Sequence, residues 1–128
     1  MSNFVVDASI LLAILNQESG AEEAEGLIEA GCFISAVNLV EVVTKLQDGG
    51  NSETDIENQL LGFDIETVGF SRSQAMDAGF LRNLTRFKGL SLGDRACLAL
   101  AREMRLPAIT ADRQWQRIDV GVEIRFIR

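Results

Sequence analysis

Five short apolar segments constrain this chain more than any other feature. Asn3 to Val6, Cys32 to Ser35, Ile65 to Val68, Ala108 to Thr110 and Val122 to Ile127 each run three to six residues. That is the length of a buried strand, and too short for a helix. Between them the apolar period lengthens, and helices are expected over Ala8 to Asn16, from Ser19-Gly20-Ala21-Glu22 to about Ala30, over Val37 to Asp48, Glu53 to Leu61, from Ser71 to about Arg86, and over Asp94 to Arg105. Short strands alternating with helices give an α/β fold with a mainly parallel central sheet.

Local signals punctuate these elements. Ser19 to Glu22 and Ser71 to Gln74 have the spacing of capping boxes, in which a hydroxyl and a carboxylate or amide satisfy free N–H groups at a helix start. Gly31 ends one helix, Gly49-Gly50 supply a left-handed stop for another, and Pro107 marks the exit from the Asp94 helix. A short turn is expected over Asp112 to Trp115, with Trp115 as a packing anchor. Met76, Phe80 and Leu84 recur at helical spacing, and the stripe is expected to pack into the core.

At 128 residues the chain is the size of one domain, and a single domain over 1–128 is expected. A hydrophobic share of 47% with one proline favours a compact fold over disorder. No apolar run approaches the roughly 20 residues that span a bilayer. The opening Met1-Ser2-Asn3-Phe4-Val5-Val6-Asp7 has no basic region and reaches an acid too early for a secretion signal, so the expected location is the cytoplasm. Cys32 and Cys97 lie in apolar or helical surroundings and are expected as buried reduced thiols.

The chain contains no histidine and no tyrosine. Ser-His-Asp and Cys-His catalysis, histidine-pair RNA cleavage and His-containing zinc sites are therefore excluded. Hydrolytic chemistry has to come from carboxylates, hydroxyls, Lys, Arg, or a metal held by oxygen. A net charge of −7 argues against broad attraction to nucleic acid, though acids gathered for a divalent cation add charge that the cation offsets.

In a parallel sheet, ligands bind beyond the carboxyl ends of the strands, and four acids fall there. Asp7 follows the first strand, with Ser9 two residues on. Asp112 follows the strand ending at Thr110. Glu41 lies in the early turns of the helix after the second strand, and Asp94 opens its own helix. Each has an ordinary alternative: Asp7, Asp94 and Asp112 as caps, and Glu41 as part of a solvated face with Asn38 and Lys45. Together they share one edge of one sheet. Two carboxylates about 4 Å apart repel by roughly 4 kcal/mol at an effective dielectric near 20, so such a cluster calls for a cation. Oxygen ligands alone suit Mg²⁺ or Mn²⁺, and a metal of that kind lowers the pKa of a bound water and stabilises a phosphoryl group during phosphodiester hydrolysis.

At these residues the sequence resembles the PIN-domain family, and within it the VapC toxins. The matching stretches are Val5-Val6-Asp7-Ala8-Ser9, Ile34 to Val42, Leu90-Ser91-Leu92-Gly93-Asp94-Arg95 through Ala101, and Thr110-Ala111-Asp112-Arg113-Gln114-Trp115. The resemblance implies a three-layer α/β/α sandwich and Mg²⁺- or Mn²⁺-dependent endoribonuclease activity. It also implies RNA as substrate, a cognate antitoxin as inhibitor, and a homodimer. Residue by residue, Asp7, Glu41 and Asp94 match the family's core acids and Asp112 a more variable fourth; Ser9 and Thr110 match polar residues that support the site.

Arg95 and Arg113 each adjoin a site acid and are candidates for phosphate contact or for orienting carboxylates. Arg82 and Arg86, with Lys88 close behind, form either an RNA contact or a solvated helix face. Three alternatives stand beside the toxin: a housekeeping PIN nuclease acting in RNA processing or on DNA, a non-catalytic binding module of the same fold, and a metal-dependent phosphatase. Intact acids count against the binding module. The lack of a Gly-rich phosphate loop or Asp-x-Asp nucleophile counts against the phosphatase.

Overall fold

In the computed structural model, which describes residues 3–127, each apolar segment becomes a strand: β1 (Phe4–Val6), β2 (Cys32–Ser35), β3 (Ile65–Val68), β4 (Ala108–Thr110) and β5 (Ile124–Phe126). Met1 and Ser2, part of the N-terminal reading above, lie outside the described residues. Helices α1 (Ala8–Leu15) and α2 (Ala21–Glu29) lead from β1 to β2, and α3 (Ala36–Asp48) and α4 (Glu53–Leu61) lead on to β3. Helices α5 (Arg72–Thr85) and α6 (Leu92–Met104) then lead to β4, and single 3-10 turns occupy Arg86–Lys88 and Arg113–Trp115.

The strands pair in the order β3-β2-β1-β4-β5, and every pairing is parallel. Val5 stands opposite Phe33 and Ala108, and Val6 opposite Ile34 and Ile109. Because successive strand side chains point to opposite faces, the sheet serves two cores. Val6, Ile34 and Ile109 pack with α1 to α4, whereas Val5, Phe33 and Ala108 pack with α5 and α6. The result is the expected three-layer α/β/α sandwich. Cys32 belongs to the first core and Cys97 to the second; both are free thiols. Among the described residues, no helix is long and apolar enough to cross a membrane.

Several local readings change. The N-cap of α2 is Gly20, at φ 90, rather than Ser19. A glycine adopts that left-handed backbone without strain, and it displaces the hydroxyl from the capping position. The Ser71 cap is half a box: its hydroxyl accepts from Gln74 N, but the Gln74 amide turns to Glu103 at 2.9 Å. Gly50 rather than Gly49 takes the left-handed turn after α3. Helix α6 starts at Leu92, two residues before Asp94.

The largest correction is on α5. Met76, Phe80 and Leu84 are 46%, 68% and 54% exposed, and the buried face is Gln74, Ala78, Leu81 and Thr85. The reason is the partner. This helix packs against α6 through Gln74 to Glu103, Asp77 to Arg102 and Ala78 O to Arg95, with Ala78, Leu81 and Ala99 in one core, and that register turns Met76, Phe80 and Leu84 outward.

Candidate active site

The chain leaves β1 for β2 and β3 on one side, then returns to place β4 and β5 on the other. The order therefore switches beside β1, and the crevice beyond the carboxyl ends of β1 and β4 is where such sheets bind ligands. Asp7 and Asp112 flank it.

Asp7 is the N-cap of α1 and 4% exposed. Its Oδ1 accepts from Ser9 N at 3.1 Å and from the Ser9 hydroxyl, and its Oδ2 accepts from the Thr110 hydroxyl at 2.6 Å. Each hydroxyl is itself oriented by a backbone donor: Ala111 N donates to Ser9 Oγ at 2.8 Å and Asp112 N to Thr110 Oγ1 at 3.0 Å. Both hydroxyl protons thus point at Asp7, and the ends of β1 and β4 are locked together. Burial nevertheless outweighs these bonds and, with the charge of Asp94 adding to it, pushes Asp7 from its ordinary 3.8 up to about 7. Asp112 caps the following 3-10 turn, accepting from Gln114 N at 2.9 Å.

The opposite wall comes from two helices. Ser35 caps α3, accepting from Val37 N, and this sets Asn38 and Glu41 on the side of α3 that meets α6. The buried Asn38 amide donates to Glu41 Oε1 at 2.8 Å and to Gly93 O at 3.0 Å. Glu41 thereby lies against Gly93 so closely that a Cβ there would stand 2.3 to 2.5 Å from its carboxylate. Only glycine permits this approach. Asp94 follows directly. Its Oδ2 accepts from Ser91 N at 3.0 Å while Ser91 Oγ accepts from Asp94 N at 3.2 Å, a complete capping box. The ordinary capping roles of Asp7, Asp94 and Asp112 are therefore real, and each coexists with a place at the crevice.

The thiol of the buried Cys97 is pushed well above the ordinary range by burial first, then by Asp7, Asp94 and Glu41. Glu41 on α3 stands against Gly93, one residue before Asp94, and α6 packs against β1, whose end leads into Asp7. Among the described residues, no three His, Cys, Asp or Glu side chains close to the spacing of a formed metal site. The donors still fit a hard cation. They are all oxygens, Asp7 carries an uncompensated desolvation cost, and the buried Asn38 Oδ1 has no hydrogen-bond partner.

The two adjacent arginines are placed differently from the acids they follow. Arg95 Nη1 donates to Ala78 O on α5 at 2.9 Å, which ties α6 to α5. Arg113 lies over the Phe126 ring, 5.1 Å from its centroid. Trp115 is 1% exposed and anchors the second core. A surface cavity of about 590 Å³ is lined by Arg102, Arg105, Pro107 and Glu123 at the amino ends of β4 and β5, across the sheet from the acids. Asn38 and Gly93 were not anticipated as site residues. Asn38 lies three positions before Glu41 and Gly93 one before Asp94, but the contact joining them spans 55 residues and leaves no local pattern.

The PIN domain family matches residues 4–121. A search of curated proteins finds no match. Among solved structures, a chain of the DNA-bound VapBC from Salmonella typhimurium matches at 20% identity and TM-score 0.78, covering 100% of both chains. VapC20 of Mycobacterium tuberculosis, a Sarcin-Ricin loop cleaving toxin, matches at 17% identity and TM-score 0.74, covering 94% of this chain and 98% of that one. VapBC-5 from the same organism matches at 24% identity and TM-score 0.63, covering 100% of this chain and 99% of that one. At such identities the likeness shows a shared fold.

Proposed function

The chain belongs to the PIN-domain family, and from that premise we propose that it is a Mg²⁺- or Mn²⁺-dependent endoribonuclease, the toxin of a VapBC-type pair. The observation that carries the reading is geometric: Asn38 holds Glu41 against Gly93, the residue before Asp94, on a helix that packs against β1, whose end leads into the buried Asp7. Likeness to VapBC structures and to an RNA-cleaving toxin supports the same assignment.

Asp7, Glu41 and Asp94 would hold the cation, with Asp112 at the rim. When bound, Mg²⁺ or Mn²⁺ offsets the carboxylates, makes nearby water more acidic and stabilises negative charge on a phosphodiester. Asp7 is kept in place by Ser9 and Thr110, and Glu41 by Asn38 against Gly93. The exposed apolar face of α5 supports protein partners, namely a cognate antitoxin and a second copy of the chain. The cytoplasm is the compartment this reading requires.

Labelled RNA incubated with the protein and Mg²⁺ or Mn²⁺ tests it. Cleavage is expected, with none in EDTA and none by Asp7→Asn. Equal cleavage by wild type and Asp7→Asn overturns the assignment.

A further inference from the structure

Charge in this chain is sorted by layer. Thirteen of its nineteen acids precede Arg72, and eleven of its twelve Lys and Arg residues lie from Arg72 onward. One face of the sheet is therefore covered by the acidic α1 to α4, whereas on the other α5, α6 and the turn between them carry six cations against three acids, with Arg86 and Lys88 of the turn supplying most of the excess. A net charge of −7 conceals a surface able to attract an anion.

That surface has a focus at the tip joining α5 to α6. Residues 82–88 hold Arg82, Arg86 and Lys88 and no acid. Arg82 and Arg86 are four residues apart on one helix face and, with Thr85, Gly89 and Leu90, line a cavity of about 90 Å³. Between Arg86 and Lys88, the Phe87 ring is 68% exposed, with Lys88 Nζ 5.9 Å from its centroid. Arg86 donates a long hydrogen bond to Asn83 Oδ1, at 3.4 Å, which an anion can displace. The tip ends at Ser91, the cap of α6, whose first turn carries Asp94.

An RNA strand approaching the four acids meets repulsion unless neighbouring cations hold its backbone. Guanidinium forks match phosphate oxygens, and an open aromatic face takes a base of any sequence. Resting on the nuclease reading, we propose that the α5–α6 tip docks single-stranded RNA. Arg82 and Arg86 hold one phosphate in the cavity between them, and Phe87 stacks an adjacent base. A one-group cavity beside a flat ring suits phosphate and base; an acidic helix needs a groove.

The test measures anisotropy of a short fluorescein-labelled single-stranded RNA, titrated with Asp94→Asn protein in Mg²⁺ so that the strand is not cut. Salt is varied over about 50 to 200 mM. Adding Arg82→Gln and Arg86→Gln is expected to weaken binding on the order of tenfold and to flatten the plot of log affinity against log salt by roughly 0.7 to 1.4. Arg72→Gln with Arg105→Gln removes the same charge elsewhere on the cationic layer and is expected to leave the slope unchanged. Phe87→Ala is expected to weaken binding about tenfold at unchanged slope. Equal slopes for the two arginine pairs overturn the proposal, as does loss of poly-glutamate binding with RNA binding intact. Arg72, Arg82, Arg86, Phe87 and Arg105 are all exposed, and unchanged melting temperatures confirm folding. Wild-type protein that cleaves no RNA refutes the nuclease reading instead.

Discussion

At the β1/β4 corner of the crevice, Asp7 is fixed by two hydroxyls that are themselves fixed by backbone N–H groups. At the α3/α6 corner, Glu41 is fixed by one amide and by the absence of a Cβ on Gly93. The first corner is buried and rigid, and its cost is electrostatic. The second is half-exposed, and its cost is steric and conformational. A shared cation needs both, so substitutions at the two corners should fail in different ways.

Asp7→Asn gives the largest expected effect. Nuclease activity falls by about 10³-fold or more, while the metal-free protein becomes more stable above neutral pH. Burial raises the folded-state pKa of Asp7 from 3.8 to about 7. The stability associated with its neutral form is therefore fully present below pH about 4 and is lost as pH rises through about 7. Asparagine is neutral throughout, and its amide can still serve Ser9 and Thr110. Thermal unfolding in EDTA should show a gap that is absent at pH 4 and reaches up to about 4 kcal/mol at pH 8. Added Mg²⁺ closes it by stabilising wild type alone. A mutant less stable than wild type at pH 8 would reduce Asp7 to a helix cap.

Gly93→Ala breaks the other corner. The new Cβ occupies the space of the Glu41 carboxylate, and a misplacement of about 1 Å costs on the order of 100-fold in rate. Global stability changes little, because alanine favours a helix by about 1 kcal/mol and this offsets part of the overlap. Activity with an unchanged kcat would mean that Glu41 is free to stand elsewhere.

Asn38→Ala sharpens the contrast. It removes the amide that bonds Glu41 Oε1 and ties α3 to Gly93 O on α6, at a stability cost of about 1 to 2 kcal/mol. Mn²⁺ affinity, read by electron paramagnetic resonance on folded protein, is expected to fall about tenfold. Destabilisation with unchanged Mn²⁺ affinity would make Asn38 a helix-packing residue and no more.

The sequence exposed the first corner better than the second, and for a physical reason. Asp7, Ser9, Thr110 and Asp112 sit at the ends of apolar runs, so reading the strands also locates the residues beyond them. The Asn38–Gly93 contact joins α3 to α6 across 55 residues, and nothing local announces it. The Met76, Phe80, Leu84 stripe failed for a related reason: periodicity identifies a face of a helix, but the partner decides which face is buried. Asp94 shows a third limit. One carboxylate both completes a capping box and faces Asp7, so its residue pattern alone could not separate capping from a place at the crevice.

Asp112 tests whether the β1/β4 corner has one essential acid or two. Thr110 Oγ1 accepts from its backbone N–H, and its own carboxylate accepts from Gln114 N, yet its charge figures neither in the rise of Asp7 nor in that of Cys97. Half-exposed as the cap of the turn after β4, it stands at the rim of the crevice. Asparagine keeps the cap, so Asp112→Asn should melt within about 0.5 kcal/mol of wild type. Cleavage should slow by about tenfold, with Mn²⁺ affinity nearly unchanged. A loss as deep as that of Asp7→Asn would place Asp112 among the central acids, and full activity would leave it a turn residue.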